Sequence, residues 1–319
     1  MFQQALNQAT LVLQLRPVGP LLIKSGREAG ADPTIPDMNF VRTHHTGIGQ
    51  ESTVYLPGSS LKGTLRSYCE RIVRTVGVPC CNPFETQKDS LECFCGKKLE
   101  NEEDGSKRHH ESCAICRLFG NTVLGARMLM SDAYPTRETV EAANQTEQRD
   151  GVAIDRLSGG TVPGALFMLE VVTSGEFEAK LTLENFELWQ LGLLTIALRD
   201  LGSGLCPIGY GKSRGLGRMA VTLTSLEVGY PGRFSVLEGD HDYATNLYSV
   251  GAFGAPDGYE FEPEACLVLK KPGKVVENGD FGRIAIAFGG DEEVKSVLKE
   301  SVGFWKTYAE NHHTETAHD

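Results

Sequence analysis

The sequence predicts an α+β fold in which a layer of strands packs against a layer of helices. The predicted elements follow one another as strand, helix, strand, hairpin, strand, helix and strand, which is the order of a split βαβ sandwich. The 319 residues are 40% hydrophobic and 23% charged, as in globular proteins that bury a full core. No apolar run reaches the length of a membrane span. The N-terminus also lacks the order of a signal peptide, so we expect a cytoplasmic protein.

The N-terminal part is predicted to hold one strand and one helix, separated by a polar loop. Residues 10–15 alternate and are rich in Leu and Val, which predicts a strand. Residues 24–50 are polar and contain glycine, which is typical of a long loop. Apolar residues then recur at steps of three or four from Leu61 to Val76, which predicts an amphipathic helix over 59–76.

The remaining elements are predicted by shorter patterns. Alternating apolar residues predict strands over 127–133, 152–156, 165–172, 177–183 and 219–228. A helix is expected over 187–201, and Gly202 ends it. Beyond residue 228 the pattern is weaker and predicts strands over 261–270 and 283–288 and a helix over 291–308.

The charge is unevenly distributed along the chain. The net charge of −11 argues against a simple nucleic-acid binder, which usually carries a basic surface. Residues 1–75 nevertheless hold 8 Lys and Arg against 5 Asp and Glu, whereas residues 231–319 hold 8 against 16. The acidic excess therefore belongs mostly to the C-terminal part, and net charge alone neither indicates nor excludes RNA.

Cysteine spacing indicates a metal site. The chain has nine cysteines and no export signal, which favours metal ligation over disulfides. Cys113 and Cys116 form a C-x-x-C knuckle, and a second pair must come from four further cysteines: Cys80, Cys81, Cys93 and Cys95. His109 or His110 could replace one of them. Four such ligands suit a closed, structural Zn²⁺ site; the alternatives are a redox C-x-x-C and thiols without a ligand role.

A possible phosphate site lies at the start of the predicted helix. Ser59 and Ser60 follow a Pro-Gly turn, and either serine can cap the first helical turn. Their hydroxyls, the free N–H groups and the cations of Lys62 and Arg66 would meet at one helix N-terminus, which attracts phosphate. The alternative is an ordinary capped helix with solvated cations.

A glycine-rich stretch, residues 202–217, offers a second phosphate site. It does not match a P-loop, because Cys206 stands at a position that requires glycine. It does not match a dinucleotide motif either, because Arg214 stands at a position where that motif requires glycine. We expect exposed N–H groups together with Lys212, Arg214 and Arg218 to lie along a phosphodiester backbone. The central expectation is that this loop and the helix start form one cationic trough; the alternative is a flexible turn before a strand.

Asp37 is a candidate catalytic residue in the polar loop. A carboxylate beside a ribose 2′-hydroxyl can act as a base or hold a divalent ion while that hydroxyl attacks the adjacent phosphate. His44 and His45 are alternative proton-transfer groups. A loop carboxylate is also commonly a turn or capping residue.

Five blocks in order resemble one family. They are residues 37–42, 56–66, 116–120, 152–156 with 165–169, and 209–217. Together they resemble the RAMP superfamily, in particular the backbone subunits that line guide RNA in type III CRISPR effector complexes. The segments that begin at Cys81, Cys95 and Cys113 are similar to the zinc fingers of subtype III-D and III-E backbone domains.

The resemblance implies an RRM-like, ferredoxin-like domain over residues 1–228. It implies a zinc-finger insertion at 79–120, a thumb β-hairpin at about 150–172 and an acidic C-terminal extension of unknown role at 229–319. It favours Cys81 over Cys80 and Cys95 over Cys93, so that the expected zinc ligands are Cys81, Cys95, Cys113 and Cys116.

The resemblance also implies a function. Asp37 would support cleavage of target RNA with Mg²⁺ or Mn²⁺, leaving a cyclic phosphate. Arg156 would lie in the thumb that wedges the duplex of guide and target. The guide phosphates would contact Ser59, Ser60, Lys62, Arg66, Lys212 and Arg214. The expected partners are guide RNA, complementary target RNA and other subunits of the complex. The alternatives are a non-cleaving structural subunit and a stand-alone RNA-processing endonuclease.

Overall fold

The computed structural model describes most of the chain. The described residues are 4–25, 38–45, 47, 50–87, 90, 93–230, 242–254, 258–262, 266–278 and 283–313. The candidate catalytic residue Asp37 lies outside these ranges. No helix within them combines the length and the apolar character that a membrane crossing requires.

The strands and helices are as follows in chain order. The strands are β1 (Gln8–Pro17), β2 (Arg42–His45), β3 (Gln50–Val54), β4 (Met128–Met130), β5 (Tyr134–Pro135), β6 (Glu147–Ile154), β7 (Thr161–Val171), β8 (Phe177–Glu184), β9 (Met219–Tyr230), β10 (Asn246–Tyr248), β11 (Cys266–Val268), β12 (Lys274–Asn278) and β13 (Arg283–Gly289). The helices are α1 (Gly58–Thr75), α2 (Cys95–Lys98), α3 (Gly105–His110), α4 (Ala114–Phe119), α5 (Val140–Asn144), α6 (Leu188–Gly202) and α7 (Asp291–Asn311).

An antiparallel sheet forms one layer of the molecule. Its strand order is β12-β13-β9-β1-β8-β4, and β5 also pairs with β8. Side chains of the central strand β1 alternate between buried and more exposed positions, because successive side chains point to opposite faces of a sheet. Leu11, Leu13 and Leu15 thereby enter the core. The predicted α+β class is confirmed.

The helical layer consists mainly of α1, α6 and α7. Helix α1 buries a stripe that includes Leu61, Leu65 and Cys69 and packs against β4 and α6. Helix α6 is apolar on nearly all sides, because the sheet covers one side and α7 covers another. The Trp189 ring stacks on the Tyr308 ring of α7 with 4.1 Å between centroids.

The C-terminal residues are built onto the same sheet and core. Strand β13 pairs with β9, and α7 packs against α6 and β9. The expected boundary at residue 228 therefore falls within β9. Of the predicted strand over 261–270, the structure describes residues 261–262 and 266–270, and within these Cys266–Val268 is a strand that pairs with β10.

Strands β6 and β7 form a separate antiparallel hairpin that projects from the sheet. It corresponds to the hairpin expected at about 150–172, although β6 begins three residues earlier, at Glu147. Several apolar side chains of this hairpin are exposed, and Leu157 at its tip is 98% exposed. Arg156 is also exposed and lies in the tip turn.

Candidate metal centre and nucleic-acid interface

The structure brings four cysteine sulfurs together. The Sγ atoms of Cys81, Cys95, Cys113 and Cys116 all lie within 4.8 Å of one another. The Sγ atom of Cys81 lies 3.6 Å from that of Cys116 and 3.7 Å from that of Cys113. A tetrahedral Zn²⁺ with Zn–S bonds of about 2.3 Å requires sulfurs roughly 3.8 Å apart. The donor set and its spacing therefore fit a metal such as zinc.

Short helices present these cysteines. Cys113 precedes α4, Cys116 lies in the first turn of α4, and Cys95 begins α2. The Cys113 N–H group donates to the Cys95 sulfur at 3.4 Å. Hydrogen bonds from the neighbouring thiols, of which Cys116 has the largest effect, hold the pKa of Cys113 well below its usual range. Cys113 is thus favoured as a thiolate, the form that a metal binds, whereas the hydrogen bonds to Cys113 raise the pKa of Cys95 and Cys116.

The other candidate ligands lie outside the four-sulfur group, although the Cys80 thiol also hydrogen-bonds to the Cys113 sulfur. The Cys80 thiol donates to the Cys81 carbonyl oxygen, and the Cys93 thiol donates to the Phe94 carbonyl oxygen. The buried His109 ring pairs with Arg127, with 2.8 Å between Nε2 and Nη2. His110 lies 3.1 Å from the Glu260 carboxylate. The structure therefore places neither histidine in the four-sulfur group.

Arg66 and Lys62 contact the protein itself. The Arg66 guanidinium donates to the Gly120 carbonyl oxygen at 2.9 Å and to the Cys116 sulfur at 3.7 Å. Burial opposes the charge of Arg66, but Cys116 and Glu70 outweigh it and raise the pKa. The Lys62 ammonium donates to the Met128 carbonyl oxygen at 2.9 Å. The two expected phosphate ligands thus join α1 to the cysteine cluster and to β4.

The start of α1 differs from the prediction. Pro57 is the N-cap and provides no side-chain cap, and Ser59 is exposed; the predicted serine cap is therefore wrong. The Gly58 N–H group instead donates to the Asp132 carboxylate at 2.7 Å. A carboxylate thus lies at the helix N-terminus where a phosphate was expected, since both groups favour that position.

N–H groups of the glycine-rich loop bond to the chain that follows β1. The N–H group of Tyr210 donates to the Leu22 carbonyl oxygen at 2.7 Å, and that of Gly217 donates to the Pro20 carbonyl oxygen at 2.9 Å. A Cβ at Gly209 would lie only 2.3 Å from the Leu22 oxygen, so this close approach requires glycine. The expectation of exposed N–H groups is wrong for these residues.

The loop presents two cations instead. Lys212 and Arg214 are exposed and lie in a single 3₁₀ turn. Within the part of the chain that the structure describes, neither forms an ion pair with a carboxylate. The Arg214 guanidinium lies 5.0 Å from the centroid of the Tyr210 ring and 5.6 Å from that of Phe167 in β7. This contact joins the loop to the hairpin.

The structure does not bring the two pairs of cations together. Lys62 bonds to Met128, which pairs with Leu183 of β8 and is thereby aligned with Ala9 near the start of β1. The glycine-rich loop instead leads into Met219, which pairs with Pro17 at the other end of β1. Lys62 and Arg66 thus face β4 and the cysteine cluster, away from Lys212. The expected trough is not formed by these four cations.

The described residue nearest to Asp37 lies at the base of the hairpin. Met38 forms a parallel bridge with Leu169 of β7, and the Phe40 N–H group donates to the Glu170 carboxylate at 2.8 Å. Of the alternative proton-transfer groups, His45 lies in β2 with its ring centroid 4.0 Å from that of Tyr134. The chain after Asp37 therefore runs beside the strand that carries Phe167.

Sequence reasoning missed Phe167, Tyr210 and Asp132. The four-residue spacing of Tyr210 and Arg214 within one glycine-rich turn was the only local signal for the contact between these two side chains. The pairing of Phe167 with Gly151 depends on the register of β6 with β7, and the Asp132 contact joins residues 74 positions apart. Both depend on tertiary structure.

One comparison with known proteins identifies a family. A family model for the RAMP superfamily matches residues 15–220, about two thirds of the chain. The match extends from β1 to the start of β9 and includes the cysteine cluster, the hairpin and the glycine-rich loop. No curated protein matches the sequence.

Proposed function

Because the chain belongs to the RAMP superfamily, we propose that it is a guide-RNA-binding backbone subunit of a type III CRISPR ribonucleoprotein. Membership of the family indicates a CRISPR-associated RNA-binding subunit. The finer assignment is to subtype III-D, and the zinc-finger-like spacing of the cysteines supports it. The partners in this proposal are guide RNA, complementary target RNA and other subunits of a cytoplasmic complex.

The order of the sheet supports an RRM-like core. Strands β9, β1, β8 and β4 are neighbours in that order, and α1 and α6 each connect two strands that are not adjacent. A split βαβ, ferredoxin-like core has this arrangement. In such a core RNA binds through exposed cations and rings on strands and adjoining loops.

The contact of Arg214 with the hairpin is the observation that carries the proposal. It brings an exposed cation, two aromatic rings and the described residues that follow Asp37 into one region. Exposed cations without acidic partners bind phosphates, and rings stack with bases. Although the chain has a net charge of −11, the Arg214 cation and the two rings lie together beside the hairpin. Lys212 adds a second exposed cation on the same turn.

The four clustered cysteines would hold a structural Zn²⁺. Four protein ligands leave no position for a substrate, so the metal would supply crosslinking and not catalysis. Arg66 donates to the Cys116 sulfur and orients that ligand from α1. The insertion is thereby attached to the helix that begins beside β4.

Target cleavage is the enzymatic part of the proposal. The 2′-hydroxyl oxygen of the target would bond to the adjacent phosphorus while the 5′-oxygen leaves, which produces a cyclic phosphate. Asp37 would accept the hydroxyl proton or hold a divalent ion, Mg²⁺ or Mn²⁺, that supplies charge stabilisation. The position of Met38, the residue that follows Asp37, beside β7 at the hairpin base supports this role.

The experiment is cleavage of complementary RNA by the full-length protein assembled with guide RNA. Asp37→Asn should abolish the cuts and retain RNA binding, whereas Asp32→Asn in the same segment should cleave normally. Unchanged cleavage by Asp37→Asn would remove the catalytic assignment. A wild-type assembly that binds target and never cuts would identify a non-cleaving structural subunit, and a protein that holds no RNA would overturn the function itself.

A further inference from the structure

The Arg214 guanidinium is supported from the protein side by two rings. The Tyr210 and Phe167 rings are half-buried and pack against the core, whereas Arg214 is exposed. Their centroids lie 5.0 and 5.6 Å from the Arg214 Cζ atom. Both distances are within the range of cation–π attraction. Because Arg214 is exposed, part of its side chain is open to solvent.

Gly151 fixes the position of the Phe167 ring. The Phe167 ring covers Gly151 of the paired strand, where a Cβ would lie 2.2 Å from a ring atom. A larger residue at position 151 would displace the ring. The bare backbone of Gly151 therefore provides the space that the ring occupies.

Glycines also fix the loop side. Arg214 lies in a turn between Gly211 and Gly215, which both have left-handed backbone conformations, with φ of 70° and 85°. The Arg214 N–H group donates to the Gly211 carbonyl oxygen at 2.8 Å. The guanidinium is thus oriented before any ligand binds, which lowers the entropic cost of binding.

The charges favour a ligand on the exposed side of Arg214. No Asp or Glu forms an ion pair with Arg214 or Lys212 in the described portion of the chain. The loop N–H groups of Tyr210 and Gly217 are already bonded and cannot bind phosphate. The planar guanidinium and the compact ammonium offer two different contacts, because the first stacks and the second acts as a point charge.

We infer that Arg214, supported by Tyr210 and Phe167, is a stacking platform for one unpaired nucleobase of the bound RNA. This inference rests on the proposed function and adds a base site to it. Bases that are splayed from a single strand stack on aromatic rings and on Arg guanidinium planes. Lys212, on the same turn, contacts phosphate.

Salt dependence separates the two contacts. The test measures the affinity of the full-length protein for a labelled single-stranded oligoribonucleotide by fluorescence anisotropy over a series of salt concentrations. Arg214→Lys keeps the charge and removes the plane, and Lys212→Gln is the matched control on the same turn. Arg214→Lys should weaken binding at least about fivefold at every salt concentration with an unchanged slope. Lys212→Gln should reduce the slope by about 1.

Two further variants and a second probe test the stacking itself. Phe167→Leu and Tyr210→Leu keep apolar volume and should weaken binding in the same salt-independent way. An oligoribonucleotide with abasic sites should bind wild type and Arg214→Lys equally. The inference is overturned if Arg214→Lys binds as wild type, if its slope changes, or if its deficit persists on the abasic probe. A wild-type protein that binds no RNA overturns the proposed function and this inference together.

Discussion

Arg127 is a fully buried cation that joins three parts of the chain. Its guanidinium donates to the Asn185 carbonyl oxygen at 2.6 Å, pairs with His109 at 2.8 Å and lies 3.6 Å from the Glu187 carboxylate. Burial lowers its pKa to about 10, so that it stays charged at neutral pH. A buried charge is tolerated only with such partners. Arg127 therefore joins His109 of the zinc-finger insertion to the start of α6.

The pH dependence of stability should reveal the neutral state of His109. Burial, followed by the charge of Arg127, lowers its pKa to about 2, against 6.5 for an ordinary histidine. The unfolded chain therefore binds a proton below pH 6.5 that the folded chain does not. The stability from this group is present above pH 6.5 and is lost as pH falls towards 2, by up to about 1.4 kcal/mol per pH unit.

Urea unfolding of the metal-loaded protein at pH 7 and pH 5 measures this effect. The free energy of unfolding should fall by about 2 kcal/mol more in wild type than in His109→Gln, which keeps an acceptor for Arg127. An equal fall in both proteins would show that His109 is not neutral in the folded state. The comparison cancels the acid sensitivity of the cysteine cluster, which both proteins share.

At the residue scale, local patterns were predictable and tertiary partners were not. The spacing of Cys113 and Cys116 places two sulfurs on one turn whatever surrounds them, so the sequence is sufficient to expect a metal site. The serine cap failed because the helix begins at Gly58, before both serines, where Asp132, far along the chain, accepts from the Gly58 N–H group. The burial of Arg127 and His109 depends on which elements meet around them, and no spacing shows it.

Among the elements, α1 has two glycines with opposite surroundings. A Cβ at Gly58 would lie 2.4 Å from the Met130 carbonyl oxygen, because the helix start lies directly against the chain after β4. Gly63 is exposed, and nothing lies within 4 Å of the position of its Cβ. The first glycine allows close packing, whereas the second only weakens the helix.

Alanine at these positions should therefore act in opposite directions. Gly58→Ala should lower the free energy of unfolding by about 1–3 kcal/mol through overpacking. Gly63→Ala should raise it by up to about 1 kcal/mol through helix propensity. Chemical denaturation of the two variants checks this, and a stabilising Gly58→Ala would show that the start of α1 does not contact the strand as described.

The zinc-finger insertion, residues 79–120, should depend on metal for its ordered structure, because its segments are short and polar. The purified protein should hold about one zinc per chain by elemental analysis. Cys81→Ser should lose most of the zinc, whereas Cys80→Ser should retain it, since the Cys80 sulfur lies outside the four-sulfur group. A chelator should make residues 79–120 the first site of proteolysis. Zinc loss in Cys80→Ser with retention in Cys81→Ser would contradict the ligand set.

Long elements were more predictable than short ones. The expected helix over 59–76 is observed at Gly58–Thr75, because its apolar period extends over many residues. Among the described residues of the strand expected over 261–270, Cys266–Val268 form a strand, which pairs with β10 over three residues. Short strands depend on their partners more than on their own sequence.

At the scale of the whole molecule, the acidic excess and the exposed cations of the glycine-rich loop lie in different parts of the chain. The C-terminal residues add β12, β13 and α7 to the sheet and helical layer, and that part of the chain carries most of the acidic excess. The exposed cations of the glycine-rich loop lie instead beside the hairpin. A protein with a net negative charge can therefore keep a local surface for RNA.

The most direct measurement compares two double variants in RNA affinity over a series of salt concentrations. Lys212→Gln with Arg214→Gln should lose affinity and reduce the salt slope by about 1, because Lys212 contacts phosphate and Arg214 stacks on a base in the proposed complex. Lys62→Gln with Arg66→Gln should keep the salt slope of wild type and lose folding stability, since both side chains bond within the protein. The reverse result, with the salt slope lost only in the second variant, would contradict the account.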